Sequence, residues 1–163
     1  MKNSCKIVFL FVLFIAVTTK DSFAQNRNID SLFNLIKKDK PDTNNVNHLN
    51  KLASEYIHIG EYDNGLKYAN KALELANTFF ISNKKGGEKG ISSAYNNIGN
   101  IYYRQGNYPE GLKNYLAALK IGESTGDKND ISSFLSNIGN VYYAQGNYPE
   151  ALKNYEASLK IRV

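Results

Sequence analysis

Apolar residues at Ile98, Ile101 and Tyr102 recur at helical spacing and stop at Gln105-Gly106; beyond Asn107-Tyr108-Pro109-Glu110 a second stripe follows, Leu112, Tyr115 and Leu119 with Ala118 beside it. This pattern predicts two amphipathic helices joined by a short turn, here called helix A and helix B. Gly106 supplies the left-handed residue that closes helix A. Asn107 is placed to cap helix B, Pro109 sits in the first turn where its missing N–H costs nothing, and Glu110 at N3 is positioned to complete a capping box. The unit is a helical hairpin.

The hairpin is written twice. Ile91–Ile121 and Ile131–Ile161, offset by 40 residues, agree at 23 of 31 positions. Self-similarity at such a period marks a stacked array, in which one unit cannot bury its apolar face without its neighbours. A more divergent copy precedes them by 46 residues: Val46, Leu49, Leu52, Ala53 and Tyr56 form its helix A, Gly60 ends it, and Glu61-Tyr62-Asp63 opens a helix B carrying Leu66, Ala69, Ala72, Leu73 and Leu75. Earlier still, Ile29, Leu32, Phe33 and Ile36 share one face and predict a leading helix within 25–41, after which Asp42 is a good N-cap. The additional residues between the first and second copies fall in Asn77–Gly90. There Phe79, Phe80 and Ile81 are expected to extend helix B and pack inward, and Lys84–Gly90 to form a flexible polar turn. Gly99 and Gly139 lie inside helix A, where Gly is ~1 kcal/mol worse than Ala. Small residues on helix B (Gly65, Gly111, Ala151; Ala72, Ala118, Ser158) stand opposite, so a close helix crossing is expected to offset that cost.

Ile98-Gly99, Tyr102, Gly106, Tyr108, Gly111, Tyr115 and Ala118, repeated as Ile138-Gly139, Tyr142, Gly146, Tyr148, Ala151, Tyr155 and Ser158, resemble the signature of the tetratricopeptide repeat in its form of about 40 residues. The resemblance implies an all-α fold, a right-handed α-solenoid of antiparallel helix hairpins, with an array over 42–163 and repeats at about 45–79, 92–125 and 132–163. It also implies a non-catalytic scaffold that binds a protein or peptide on the concave surface lined by helix A. Carried over residue by residue, the concave positions are Asn50, Ser54, Ile57 and His58; Ser93, Asn96, Asn100, Tyr103 and Arg104; and Ser133, Ser136, Asn140, Tyr143 and Ala144. The surface is amide-rich, aromatic and nearly uncharged. Asn can donate and accept, which suits a peptide backbone, while Tyr adds rigid amphipathic contact. Asn97 and Asn137 lie beside these rows and divide evenly between ligand contact and a register bond linking neighbouring helices. Family members that hold a C-terminal carboxylate use Lys and Arg beside Asn. Here Asn100 and Asn137 match the Asn positions but Asn96 and Ser133 are neutral, which argues against that mode.

Composition narrows the function further. Lys2 and Lys6, the apolar run Ile7–Val17 and Ser22-Phe23-Ala24 read as a signal peptide over 1–24, so the chain is expected to be exported, periplasmic or secreted. The run is shorter than the ~20 residues a bilayer span needs. Cys5 leaves with that segment, removing any disulfide framework or cysteine metal site. Three Lys and one Asp leave too, so 17 basic residues face 14 acidic ones, a scattered net charge of +3 without a nucleic-acid footprint. His48 and His58, ten residues apart on one helix, are too distant to share a metal on adjacent turns. No serine stands in a nucleophile elbow, and Lys84–Gly90 lacks the Gly-Lys-Ser/Thr ending of a phosphate loop. No catalytic residue, metal, cofactor or small-molecule substrate is assigned. Leu152, Tyr155 and Leu159 are expected to face the preceding helix. Leu159, Ile161 and Val163 leave the last hairpin without a polar cap, predicting self-association there. The alternative is the extracytoplasmic sensor part of a longer bacterial signalling protein whose output is a histidine kinase, nucleotide cyclase or transcriptional regulator.

Overall fold

The computed structural model describes residues 27–81 and 87–162. Among the described residues are seven helices and no strand: α1 (27–38), α2 (Thr43–His58), α3 (Tyr62–Ile81), α4 (Gly87–Arg104), α5 (Tyr108–Thr125), α6 (Lys128–Ala144) and α7 (Tyr148–Arg162). Each of α2 to α7 packs on its chain neighbours, and α2 also touches α4, which gives an all-α solenoid of stacked antiparallel hairpins. The expected signal segment 1–24, residues 84–86 of the expected polar turn and Val163 lie outside the described residues.

The hairpin turns follow from two hydrogen bonds around a glycine. Asn107 N–H donates to Tyr102 O at 2.8 Å and Gly106 N–H to Tyr103 O at 3.0 Å, with Gly106 at φ 76°. That left-handed residue costs a β-carbon dearly and glycine little, so α4 ends there. Asn107 then serves both helices, because its Oδ1 accepts from Glu110 N–H at the start of α5. The expected capping box does not close: the Asn107 N–H is already spent on Tyr102, and the Glu110 carboxylate pairs instead with Lys113 at 3.2 Å. Asp42 caps α2, accepting from Asn44 N–H and Asn45 N–H at 2.9 and 3.1 Å. Asp127 caps α6 in the same way and also accepts from Lys89 of α4 at 3.0 Å. The Lys89 hydrogen bond holds its carboxyl below the usual range, although an exposed pair of this kind contributes little stability.

Inside each hairpin the helices meet at a glycine. A β-carbon on Gly99 would lie 2.7 Å from Tyr115 Cδ1, and one on Gly139 would lie 2.6 Å from Tyr155 Cε1. The glycine cost inside helix A is therefore offset by an aromatic ring packed directly against the glycine, and Tyr115 is fully buried. The first hairpin shows the converse. Its equivalent of Gly99 is Ala53 and its equivalent of Tyr115 is Ala69, both fully buried in a cluster with Ile98. Where the methyl returns, the ring has gone.

Three expectations about the edges of the array are corrected. Phe79 is buried against Val46, Leu49 and Ile91, but Phe80 and Ile81 are 51% and 83% exposed, because only every third or fourth residue of α3 can face the core. Gly87 and Gly90 belong to α4, both buried: a β-carbon on Gly90 would lie 2.5 Å from Val46 Cγ1, and one on Gly87 would lie 2.8 Å from Phe80 N. These glycines let α4 approach α2 and α3; they do not loosen a turn. At the far end, Leu112 and Leu119 of α5 pack with Ile138, Val141 and Tyr142 of α6. Their equivalents Leu152 and Leu159 are 58% and 65% exposed, so they do not face the preceding helix; they occupy the side on which a further helix would stack. At the near end, α1 buries Ile29 and Leu32 against Leu52, and Phe33 meets the Tyr68 ring edge-on at 5.6 Å.

Gly99→Val should destabilise the chain by about 1–3 kcal/mol or more, since the added carbons meet a Tyr115 ring held by Ile138 and Val141 on its other side, and Gly139→Val should cost less, since Tyr155 is only half-buried. Thermal unfolding followed by circular dichroism checks this. Variants melting with the wild type would show that the tyrosines can move aside.

Candidate functional site

Successive A helices α2, α4 and α6 present one side to a common groove. It contains a cavity of about 380 Å³ lined by Ser54, Ile57 and His58 from α2, Asn100, Tyr103 and Arg104 from α4, Tyr115 from α5, and Asn137 and Asn140 from α6. Seven of the sequence-derived positions, Ser54, Ile57, His58, Asn100, Tyr103, Arg104 and Asn140, therefore come together around one hollow.

Its amides are oriented from behind. Tyr115 Oη donates to Asn100 Oδ1 at 2.7 Å, and Tyr155 Oη donates to Asn140 Oδ1 at 2.7 Å. Burial, followed by the neighbouring Tyr103, pushes the Tyr115 hydroxyl well above the ordinary tyrosine range, against a lowering influence of Arg104. The Tyr155 hydroxyl is raised likewise by burial and then by Tyr103 and Tyr143. Both stay protonated and able to donate. With their oxygens taken, Asn100 and Asn140 keep an NH₂ group without a protein partner among the described residues.

Other positions serve the scaffold. Asn50 is buried: its Nδ2 donates to Gly90 O at 3.0 Å, while its backbone carbonyl accepts from Asn97 Nδ2 at 2.9 Å. Asn50 thus fixes the register of α2 on α4 and offers no free surface. Asn137 Nδ2 donates to Asn96 Oδ1 at 2.8 Å, linking α4 to α6, so both residues beside the rows make register bonds. Ser136 Oγ lies 2.8 Å from Ser158 Oγ, in a cluster with buried Ser132 between α6 and α7, and Ser133 Oγ donates to Asn129 O at 2.9 Å. Ser93 is half-buried on α4. Tyr103 and Tyr143 sit at the groove's edge against Tyr108 and Tyr148, with ring centres 5.8 and 5.4 Å apart. Tyr143 is exposed and Tyr103 half-buried.

Sequence reasoning placed Tyr115 and Tyr155 in the core and missed that each hydroxyl reaches the groove. The available signal was the choice of Tyr over Phe at a core position in both copies. Among the described residues no group of three or more His, Asp or Glu could hold a metal ion, and no helix is long and apolar enough to cross a membrane.

Stacked hairpins with closing glycines, inter-hairpin amide bonds and a groove along the A helices define a helical-repeat scaffold. Models of the tetratricopeptide repeat match residues 49–79 and 90–162, more than half of the chain, and the protein belongs to that family. Among solved structures it is similar to BtubC (BKLC) from P. vanneervenii, with 26% identity, a TM-score of 0.62, and coverage of 75% of this chain and 48% of that one. It shares its fold with the apo form of RapI (17% identity, TM-score 0.64, 76% and 33% coverage). The same holds for aspartyl phosphate phosphatase F from Bacillus subtilis (14% identity, TM-score 0.69, 85% and 38% coverage). The chain spans a third to a half of the length of these structures. A search of curated proteins finds no match.

Asn97→Ala should cost about 1–3 kcal/mol, because it removes the donor that reaches the Asn50 carbonyl and the buried Asn50 Oδ1 and leaves that side-chain oxygen without a partner, and Asn137→Ala should cost less, since its bond is only partly buried. Urea unfolding of both variants measures the difference.

Proposed function

We propose that the protein is a non-catalytic scaffold that binds an extended segment of a peptide or protein partner along the groove formed by α2, α4 and α6. The observation that carries this is the pair of amides at Asn100 and Asn140. Each is held from behind by a tyrosine hydroxyl, so its NH₂ group is fixed toward the groove before any ligand arrives. Donors set in advance suit backbone carbonyls that pass at regular intervals, and they spare the ordering cost of a loose side chain. Tyr103 and Tyr143 supply aromatic contact area at the rim. The role is structural recognition, without catalytic residue, cofactor, nucleic acid or small-molecule substrate. The residue pattern of 1–24 supports export to the periplasm or beyond.

Panning a displayed library of random peptides against the chain tests the reading. Binders should lose retention on Tyr103→Ala/Tyr143→Ala, with the helical circular dichroism intact, and keep it on Lys113→Glu/Lys153→Glu, which alters the outer face of α5 and α7. Retention that follows the lysines and ignores the tyrosines would overturn the reading.

The exposed Leu152 and Leu159 favour a second property, association of two copies through α7. The equivalent leucines of α5, Leu112 and Leu119, pack in a cluster with Ile138 and Val141 of α6, which supports this reading. A sensor region continued by further repeats would bury the face equally well. In sedimentation the chain should associate with rising concentration, and Leu152→Lys/Leu159→Lys should return it to monomer. A monomer at every concentration would exclude self-association.

A further inference from the structure

We propose that the groove takes a carboxylate side chain, an Asp or Glu of the bound peptide, against Arg104. This rests on the peptide-binding reading and adds the chemistry of one ligand residue.

Three other cavities of the molecule have both a cation and a carboxylate in their lining. Lys120 shares the largest, about 590 Å³, with Glu88; Arg27 and Lys38 line another with Asp30; Lys71 lines the third with Asp39 and Glu74. The groove differs, because Arg104 lines it with no Asp or Glu. Among the described residues the ion pairs use His48, Lys89, Lys113 and Lys153, and none uses Arg104. Arginine stays charged at any working pH and presents a planar fork of donors matched to a carboxylate.

Position adds to charge. Asn100 and Arg104 are four residues apart on α4 and so share one face. The NH₂ of Asn100, whose oxygen is held by Tyr115, and the guanidinium can therefore converge on one carboxylate. Asn137 has spent its NH₂ on Asn96 and keeps its oxygen for a peptide N–H. A single permanent cation matches one negative charge better than a phosphate, which carries about −1.5 to −2. Arg104 also stands apart from Asn96 and Ser133, the neutral residues at the positions where carboxylate-holding relatives are basic. The equivalents of Arg104 are His58 and Ala144, so the site has a direction: the acidic residue sits over the first and second hairpins, and the neutral remainder runs past Asn140 and Tyr143.

The random-peptide library is again the probe. Groove binders selected on the wild type should carry Asp or Glu at one position, and those selected on Arg104→Gln should not. One acidic binder, synthesised with an amidated C terminus, is then compared with its Asn or Gln counterpart by fluorescence anisotropy. The amide counterpart should bind the wild type roughly tenfold or more weakly, as losing a charge-assisted contact implies, and the two should bind Arg104→Gln alike. Arg104 makes no protein ion pair, so Arg104→Gln should melt with the wild type. Groove binders without acidic preference would overturn the carboxylate site and leave the peptide reading standing; no binder that depends on Tyr103 or Tyr143 would overturn both. Loss of binding on amidation would move the ligand to a terminal carboxylate, and tighter binding of a phosphoserine version would move it to phosphate. Either result refutes the assignment.

Discussion

A tyrosine ring laid on a bare helix backbone is the contact on which the second and third hairpins depend. It brings the helices of each hairpin together, Tyr115 on Gly99 and Tyr155 on Gly139, at distances that leave no room for a methyl group. The hydroxyl of the same ring donates to the residue next to that glycine, Asn100 or Asn140. One side chain thus supplies the core contact and sets the orientation of an amide on the groove. Stability and recognition are coupled through it, and a change that freed the ring would disturb both.

Between hairpins the joints are polar. Asn97 reaches the Asn50 carbonyl, Asn50 reaches Gly90, and Asn137 reaches Asn96. Apolar packing alone tolerates sliding by a helical turn, whereas a buried amide that must find a particular carbonyl does not. These bonds hold successive A helices in the register that brings Ser54, Asn100 and Asn140 around one hollow. The two joints differ in kind. Gly90 lets α2 and α4 touch closely, while α4 and α6 are linked by longer side chains, with Lys89 on Asp127 at the outer end.

The ends of the array are unlike. The α1 helix covers the first hairpin with Ile29, Leu32 and Phe33, whereas Leu152 and Leu159 of α7 are exposed where their α5 equivalents are half-buried against α6.

The sequence by itself determined the hairpin, its spacing and its ends. Helical periodicity, Gly106 and Gly146 in the left-handed turn, and Asp42, Asn107 and Asp127 as caps are local effects that act within a few residues, so they can be read from neighbours along the chain. Gly99 and Gly139 announced a close approach because their cost inside a helix required something to offset it. Tertiary structure alone decided which polar side chains face the groove. Asn50, Asn96, Asn97, Asn100, Asn137 and Asn140 are the same residue type at similar positions, yet Asn50 and Asn97 are buried in register bonds and Asn100 and Asn140 point an amide outward. Their roles depend on partners 15 to 47 residues away. The same is true of Phe80, Ile81, Leu152 and Leu159, apolar residues whose exposure depends on whether another helix stands opposite. A single strand of residues specifies its own turns, but a side chain's partner is chosen by how separate helices pack.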